Sequence, residues 1–344
     1  MDFEFDEHTR DLCARLEEFM ADCVYPAESA FAEEQSKTAD PFATPSQVKE
    51  ELKREARQRG LWNLFLPDER WGAGLTNLQY APLAEITGRS SDLAPEAVNC
   101  SPPDTGNMEL LAQFGTQEQQ ERWLVPLLNA EIRSCFSMTE PDVASSDASN
   151  ISTRITRDGD EYVINGRKWW STGALGHRCA LFLVMGVSDE ATDPHRRHSI
   201  VLVPRETPGL HILRSTSVFG YDHASHGGHA EILFDDVRVP QDSILGEPGA
   251  GFSVAQARLG PGRIHHCMRL LGQGERALEL MCRRAHERTA FGKTLAEQGV
   301  VQQGIAESRV ALEQARLLVL KAAWMMDKFG NKSARTEISA IKAV

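Results

Sequence analysis

Apolar residues recur at helical spacing through residues 1–133. Between residues 5 and 25 they follow a helical pattern, at Leu12, Leu16, Phe19, Met20 and Cys23. Such spacing puts them on one face of a helix. We expect Pro26 to end this helix, because proline lacks the backbone N–H that a helix interior uses. Further helices are predicted at 46–60, 81–88 and 106–114 and after the N-cap Thr116, which makes this segment an α-helical domain.

The pattern changes near Arg133 to short apolar runs separated by Gly, Asn and Pro. Strands are predicted at 162–164, 168–171, 180–187, 199–204, 210–214 and 229–234. This spacing predicts a small antiparallel sheet or barrel over residues 134–245. Asn165-Gly166 predicts a hairpin turn between the first two runs. Trp169 and Trp170 are adjacent on a predicted strand, so we expect them to point to opposite faces.

Residues 246–344 return to helical spacing. The Gly-rich stretch 246–252 lacks the strand–loop–helix setting of a nucleotide-binding loop and predicts a tight entry into helices. A long helix ending near Arg288 is predicted from its apolar face: Ile264, Cys267, Met268, Leu271, Leu278 and Met281. A second should cover about 296–329, and a third should begin near 333 and still be helical at Val344. We expect an exposed apolar flank at Ile338, Ile341 and Val344. The order helices, sheet, helices defines an α+β fold with divisions at 1–133, 134–245 and 246–344.

Composition narrows the function. The formal net charge of -12 argues against a nucleic-acid partner. No apolar run approaches the ~18 residues of a membrane span. The acidic start of the chain resembles neither a signal peptide nor a transit peptide. The seven cysteines contain no CxxC pair, so we expect free thiols in a reducing compartment, with the cytoplasm as the default.

Three segments carry candidate chemistry. FSMTEPDVASSD, residues 136–147, is rich in hydroxyl groups that can bond a flat polar ligand. VINGRKWWSTG, residues 163–173, holds the two tryptophans, and RTAFGK, residues 288–293, follows the long helix. Without further context, the first suits a domain linker, the second ordinary barrel aromatics, and the third a solvated arginine at a helix C-terminus.

Together and in this order, the three segments resemble those of the acyl-CoA dehydrogenase family. The resemblance covers essentially the whole chain and implies the fold above. It also implies an FAD cofactor, an acyl-CoA substrate, an electron-transfer flavoprotein as partner, and a homodimer or homotetramer. The implied reaction is α,β-dehydrogenation of the thioester, with hydride passing to the flavin. The implied flavin contacts are Phe136, Met138, Thr139, Trp170, Thr172 and, from a partner subunit, Arg288 with Phe291.

The substrate side is less fully defined by the resemblance. Ser146 matches a family serine that meets phosphate or substrate, although the loop before it is one residue longer than is usual and lacks the family's glycines. Arg258 and Arg263 face either the acyl-CoA or solvent, as do His265 and His266. The segment 220–232 places histidines at His223, His226 and His229; we expect a polar substrate-facing loop rather than a metal site. This loop and 259–269 resemble a branch that in animals can carry an aminoglycoside-phosphotransferase-like kinase domain.

The catalytic base is not assigned to any residue. Most family members carry it in a segment that would follow Val344, and a minority carry a Glu where this chain has Gly262. Glu140 is excluded because its family role is structural. Three alternatives stay open: a C-terminally truncated acyl-CoA dehydrogenase, a related acyl-CoA oxidase or flavin monooxygenase, and an inactive truncated paralogue.

Overall fold

The computed structural model describes residues 4–188 and 193–344. Its helices are α1 (Glu7–Phe19), α2 (Tyr25–Lys37), α3 (Gln47–Gln58), α4 (Asn77–Gly88), α5 (Ala94–Ala97), α6 (Asp104–Phe114), α7 (Gln117–Gln119), α8 (Val125–Leu128), α9 (Gly251–Glu287), α10 (Gly299–Ser333) and α11 (Arg335–Ala343). Its strands are β1 (Arg133–Ser137), β2 (Arg154–Asp158), β3 (Glu161–Thr172), β4 (Cys179–Val187), β5 (His198–Pro204), β6 (Leu210–Ser215), β7 (His229–Pro240), β8 (Thr289–Ala290) and β9 (Lys293–Thr294). The predicted order of helices, sheet and helices is confirmed.

Pro26 does not end the first helix, contrary to expectation. A π-helical turn, Met20–Val24, joins α1 to α2, and Pro26 is the second residue of α2. The same arrangement recurs where the π-helical turn Gln120–Leu124 precedes Pro126 in α8. A π-helical turn is wider than an α-helical one, so it admits the proline ring that would otherwise clash with the preceding turn.

The chain divides into two compact units. The first joins the chain up to Ala30 with Glu51–Val98 and Gly260–Val344. Its helices α4 and α9 approach backbone to backbone at two glycines. A Cβ on Gly88 would lie 2.0 Å from the Arg269 carbonyl oxygen, and one on Gly272 would lie 1.9 Å from that of Glu85. Only glycine permits this approach.

The predicted exposed flank at the end of the chain is wrong for two of its three residues. Ile338 and Ile341 are 3% and 6% exposed, and the Cys267 thiol lies 3.4 Å from the Ile341 carbonyl oxygen. Val344 is 74% exposed. The apolar face of α11 is therefore turned into the first unit, because a 3.6-residue period brings Ile338 and Ile341 to the same side.

The second unit, Phe31–Glu50 with Asn99–Leu259, contains the main sheet. The strand order is β1-β4-β2-β3-β7-β6, with β5 paired to β4. β1 and β2 lie parallel to β4, while the other pairs are antiparallel. The expectation of a wholly antiparallel sheet is thus corrected. Its core is apolar, with Phe182, Val201, Ile232 and Phe234 at most 1% exposed.

Asn165-Gly166 is not a hairpin turn. β3 runs unbroken from Glu161 to Thr172, and the turn that joins β2 to β3 lies between Asp158 and Glu161. The register between β3 and β7 shifts at this point instead. The Asn165 side chain donates to Asp236 at 2.8 Å and accepts from the Asp236 N–H at 2.9 Å. These bonds come from a strand 71 residues away and outweigh the local turn preference.

Among the residues described, no helix combines the length and the apolar composition that a membrane crossing requires. No disulfide forms between any of the seven cysteines.

Candidate functional site

A β-bulge in β3 sets the geometry of the tryptophans. Lys168 faces Ile232 and Ser171 faces Ala230, so β3 has one residue more than β7 between these pairs. Trp170 lies in the bulge with a left-handed φ of 52° and is 39% exposed. The centroids of the two indole rings lie 6.1 Å apart. The residues that flank the two tryptophans in sequence, Lys168 and Ser171, are both buried. Strict alternation of Trp169 and Trp170 therefore does not hold, because a bulge interrupts the period of two.

The end of β1 is joined to this bulge by two hydrogen bonds. The Thr139 hydroxyl donates to the Trp169 carbonyl oxygen at 3.0 Å, and the Trp169 N–H donates to the Thr139 carbonyl oxygen at 3.0 Å. Phe136, Met138 and Thr139 are each half-buried. The structure thus brings together four of the predicted flavin residues: Met138, Thr139, Trp170 and, two residues beyond, Thr172.

A buried ion pair holds the same corner. Lys168 is fully buried, and its ammonium donates to Glu140 Oε1 at 2.9 Å and to the Met138 carbonyl oxygen at 2.8 Å. Glu140 also accepts from the Ser152 hydroxyl and N–H and from the Thr153 N–H, at 2.6–2.8 Å. Burial would raise the pKa of Glu140, but Lys168 and these donors lower it to about 2. Through these contacts Glu140 fixes the loop structurally. This agrees with its exclusion as a candidate catalytic base.

Ser145, rather than Ser146, closes the loop after Glu140. Its hydroxyl accepts from the Glu140 N–H at 2.8 Å and donates to the Glu140 carbonyl oxygen at 3.1 Å. Ser145 is buried, whereas Ser146 is exposed. Sequence reasoning missed Ser145 because two adjacent serines give no signal of which one turns inward. Ser146 remains available for a ligand, and its substrate role stays a prediction.

Arg258 of α9 stacks on Phe136. Its guanidinium lies 4.5 Å from the ring centroid, and Nε donates to Asn107 Oδ1 at 3.0 Å. Burial lowers the pKa of Arg258 to about 10. Burial also raises the pKa of the neighbouring Glu109 to about 8, although the positive charge of Arg258 acts to lower it. Glu109 Oε2 is buried and meets no hydrogen-bond donor among the residues described. Sequence reasoning missed Glu109, whose helix pattern gives no hint of a buried carboxyl.

The histidine loop meets β3 at Thr172. Thr172 Oγ1 lies 3.0 Å from His229 Nδ1, and His229 Nε2 lies 2.9 Å from His223 Nδ1. The His229 ring is 5.8 Å from that of Trp170. The sequence predicts a polar substrate-facing loop here, which stays a prediction, and gives no sign of the bond to Thr172. Within the described ranges, no three His, Cys, Asp or Glu residues are arranged to hold a metal ion.

The remaining predicted site residues belong to the first unit. Arg263 is exposed on α9. Arg288 follows α9 directly and is exposed, and Phe291 is fully exposed with a φ of 53° at the turn of the β8–β9 hairpin. His265, one of the residues left open between substrate and solvent, is buried edge-on against Tyr80 at 4.8 Å. Burial lowers the pKa of His265 to about 3, so it is a neutral core residue.

The fold and the corner built by β1 and β3 define a member of the acyl-CoA dehydrogenases. Three family models match in succession: the N-terminal domain at residues 7–131, the middle domain at 135–237 and the C-terminal domain at 249–344. The chain therefore belongs to the acyl-CoA dehydrogenase family, and the predicted family is confirmed. Members of this family are oxidoreductases.

Individual relatives support the assignment. The chain is 56% identical to Probable acyl-CoA dehydrogenase FadE2 of Mycobacterium tuberculosis, over 100% of this chain and 83% of that protein. It is 54% identical to Acyl-CoA dehydrogenase family member 10 of Mus musculus, over 97% of this chain but 31% of that protein. A solved acyl-CoA dehydrogenase-like protein of Mycobacterium abscessus is 47% identical with a TM-score of 0.93, over 98% and 84% of the two chains.

Proposed function

We propose that this protein is an FAD-dependent dehydrogenase that removes hydrogen from the α and β carbons of an acyl-CoA thioester. The observation that carries the proposal is the exposed indole of Trp170. A left-handed backbone at a bulky residue costs about 1–2 kcal/mol, and 39% exposure of an indole leaves apolar surface in water. Both costs are explained if a flat aromatic ligand stacks on the ring.

The residues around Trp170 fit the isoalloxazine ring of FAD. An electron-poor flat ring suits an indole face. The Thr139 hydroxyl meets the bulge at Trp169, and Thr172 lies two residues after Trp170; both hydroxyl groups can make polar contacts with the ring's edge. Thr139 is held by its paired bonds with Trp169 and by the nearby Lys168–Glu140 ion pair, and Thr172 is held by its contact with His229. FAD, when bound, supplies the acceptor for the hydride.

The residues of this chain have positioning and binding roles in the proposal. Met138, Thr139 and Thr172 orient the flavin, and Trp170 covers one face. Phe136, with Arg258 stacked on it, closes the side next to Glu109. Arg258, Arg263 and Ser146 are proposed to meet the acyl-CoA. We assign no catalytic base: Gly262 occupies the position where some family members carry a Glu. An electron-transfer flavoprotein is the proposed onward acceptor of the electrons.

Retention of FAD tests the proposal. Trp170→Ala should weaken FAD binding by about 1–3 kcal/mol, or about 5- to 150-fold, which is the usual effect of losing a stacked aromatic. Trp170→Phe should retain most of the affinity. Trp123→Ala is the matched control, because Trp123 is half-buried beside Arg122 in the π-helical turn Gln120–Leu124 and is not part of β3. Affinity is measured by titrating apoprotein with FAD and following the quenching of flavin fluorescence. Equal affinity for Trp170→Ala and the wild type would contradict the site.

Arg288 and Phe291 are proposed to reach the FAD of a second subunit in a homodimer. Both are exposed at the β8–β9 hairpin, and an exposed guanidinium can grip a pyrophosphate with two hydrogen bonds. The same titration of apoprotein with FAD also tests this contact across the subunit interface. Mixed subunits carrying Arg288→Ala and Trp170→Ala should regain one intact site per heterodimer. Two dimeric variants that fail to complement each other would place Arg288 outside the flavin site.

Acyl-CoA binding is measured separately. A bound acyl-CoA should perturb the visible absorbance of the flavin in an anaerobic cuvette, because it would lie against the ring. Rapid reoxidation of the reduced flavin by oxygen would instead favour an oxidase or monooxygenase on the same fold.

A further inference from the structure

The hydroxyl of Thr172 is the end of a three-membered hydrogen-bonded chain. Thr172 Oγ1, both nitrogens of His229 and Nδ1 of His223 are joined by contacts of 3.0 and 2.9 Å. The two imidazole rings meet edge-on, at 89° and with centroids 5.1 Å apart. This geometry directs an N–H of one ring at the nitrogen lone pair of the other. We refer to Thr172, His229 and His223 as the relay.

The loop that carries His223 is firmly attached to the sheet. The N–H groups of Gly173 and Leu175 donate to the carbonyl oxygens of Gly228 and Gly227, at 2.8 and 3.0 Å. A Cβ on Gly227 would lie 2.8 Å from the Gly173 carbonyl oxygen, so the two backbones pack directly together. Lys49 of α3 holds the loop from another side, because its ammonium donates to the Ser225 carbonyl oxygen at 2.6 Å. The relay is therefore a built feature and not a chance contact of a surface loop.

The direction of the hydrogen bonds in the relay follows from proton counting. A His223 that is protonated on both nitrogens carries an N–H on Nδ1, so it must donate to His229 Nε2. A neutral His229 then carries its proton on Nδ1 and donates to Thr172 Oγ1. Because that oxygen now accepts, the hydroxyl proton of Thr172 is free for a ligand. When His223 is neutral, the order can reverse, and Thr172 then donates to His229 instead.

The surroundings determine which ring takes up the charge. Burial lowers the pKa of His229, and His223 and His226 lower it further. β3 faces His229 with Thr172 and Trp170, which do not titrate, and Lys49 reaches the loop at Ser225. His223 is exposed to water. Because a charge costs less on an exposed ring than on a partly buried one, a proton taken up by the relay is better accommodated on the His223 ring than on the His229 ring.

We propose that His223 and His229 are positioning residues that set the Thr172 hydroxyl as a hydrogen-bond donor to the flavin ring when His223 is protonated. This inference rests on the proposed function, in which Thr172 contacts the flavin. A donor stabilises the extra negative charge of the reduced ring more than it stabilises the oxidised ring. The protein should therefore hold its reduced flavin more tightly once His223 carries a proton.

The experiment measures the ratio of reduced to oxidised flavin in equilibrium with a reference dye, from about pH 5.5 to 8.5. The wild type should show an added step of about 3- to 10-fold in favour of reduced flavin toward low pH, the size of one net hydrogen bond. His223→Ala and His223→Gln should lack this step. Thr172→Val should lack it too, and combining Thr172→Val with His223→Ala should add nothing. Thr172→Ser, which keeps the hydroxyl, should preserve the step.

A second readout does not need the flavin. In protein with ¹⁵N-labelled histidines, the Nδ1–H form of His229 should grow as the pH falls, and His223→Ala should abolish this change. His211→Gln is the control, because His211 is exposed on β6 outside the relay. If FAD binds and Thr172→Val shifts the ratio, but His223→Ala keeps the wild-type step, the relay is refuted and the proposed function stands. If FAD is not retained at all, the proposed function fails, and this inference fails with it.

Discussion

The Lys168–Glu140 ion pair should be the most sensitive polar element of the site. Both side chains are at most 2% exposed, and their charged atoms lie 2.9 Å apart. Glu140→Gln keeps the size of the side chain but removes the charge that compensates a buried ammonium. Stranding a buried charge in this way costs about 3–5 kcal/mol. The Ser152 and Thr153 donors would also face an amide in place of a carboxylate.

The loss in the free energy of unfolding is measured by unfolding the apoprotein in urea and monitoring the transition by circular dichroism. Glu140→Gln and Lys168→Met should each lower the free energy of unfolding by about 3–5 kcal/mol, and the double variant should lose at least about 2 kcal/mol less than the sum. Asp158→Asn is a matched carboxylate-to-amide control. Asp158 pairs with Arg238 at 2.9 Å but is 61% exposed, so its loss should be far smaller. A loss below about 1 kcal/mol for Glu140→Gln would refute the reasoning.

Low pH should remove the stabilisation that the ionised Glu140 side chain contributes. The pKa of Glu140 is lowered from 4.5 to about 2 in the folded protein. A carboxyl whose folded pKa is depressed stabilises the fold above its unfolded pKa, and loses that effect as the pH falls through the folded value. The difference in stability between wild type and Glu140→Gln should therefore shrink from pH 4.5 down to about 2.

Two further substitutions test the surroundings of the site. Gly227→Ala should destabilise the protein by about 2–4 kcal/mol, against about 1–2 for Gly220→Ala; both glycines have positive φ, but an added Cβ at Gly227 would lie 2.8 Å from the Gly173 carbonyl oxygen, whereas at Gly220 it would meet nothing within 4 Å. Equal unfolding midpoints would refute the close contact. Because burial raises the pKa of Glu109 from 4.5 to about 8, stability should fall as the pH rises through that range. Glu109→Gln should gain stability relative to wild type over the same range, measured as thermal midpoints, and parallel curves would contradict the shift.

Much of the architecture could be predicted from local patterns. The strands with clear apolar runs, β4 and β5, were found within a residue of their bounds, because both are buried on both faces and contain unbroken hydrophobic stretches. β1 and β2 were missed. β2 buries Ile155 alone among five residues, which leaves no alternation to detect. β1 contains buried serines, and Ser134 is satisfied by Asp104 at 2.6–2.7 Å, a partner that a strand pattern does not reveal.

The predicted flavin contacts on β1 and β3 came from the resemblance, whereas their supports depend on distant residues. His229 lies 57 residues from Thr172, and Lys168 lies 28 residues from Glu140. Neither contact has a local signature. The sequence shows a lysine on a predicted strand and a loop rich in histidines. The partners of these residues depend on how β3 pairs with β7 and approaches β1.

The bulge in β3 explains why these features occur together. Without it, Lys168 and Trp170 would be two residues apart on a regular strand and would point to the same face. Yet Lys168 must be buried to reach Glu140 and Met138, while Trp170 is 39% exposed. The extra residue allows Lys168 to be buried while Trp170 is exposed. It also places Ser171 in the interior, where its hydroxyl lies 3.0 Å from that of Ser137. Thr172 then follows opposite His229. The strain at Trp170 is thus the structural condition for a buried anchor, an exposed indole and an oriented hydroxyl within five consecutive residues.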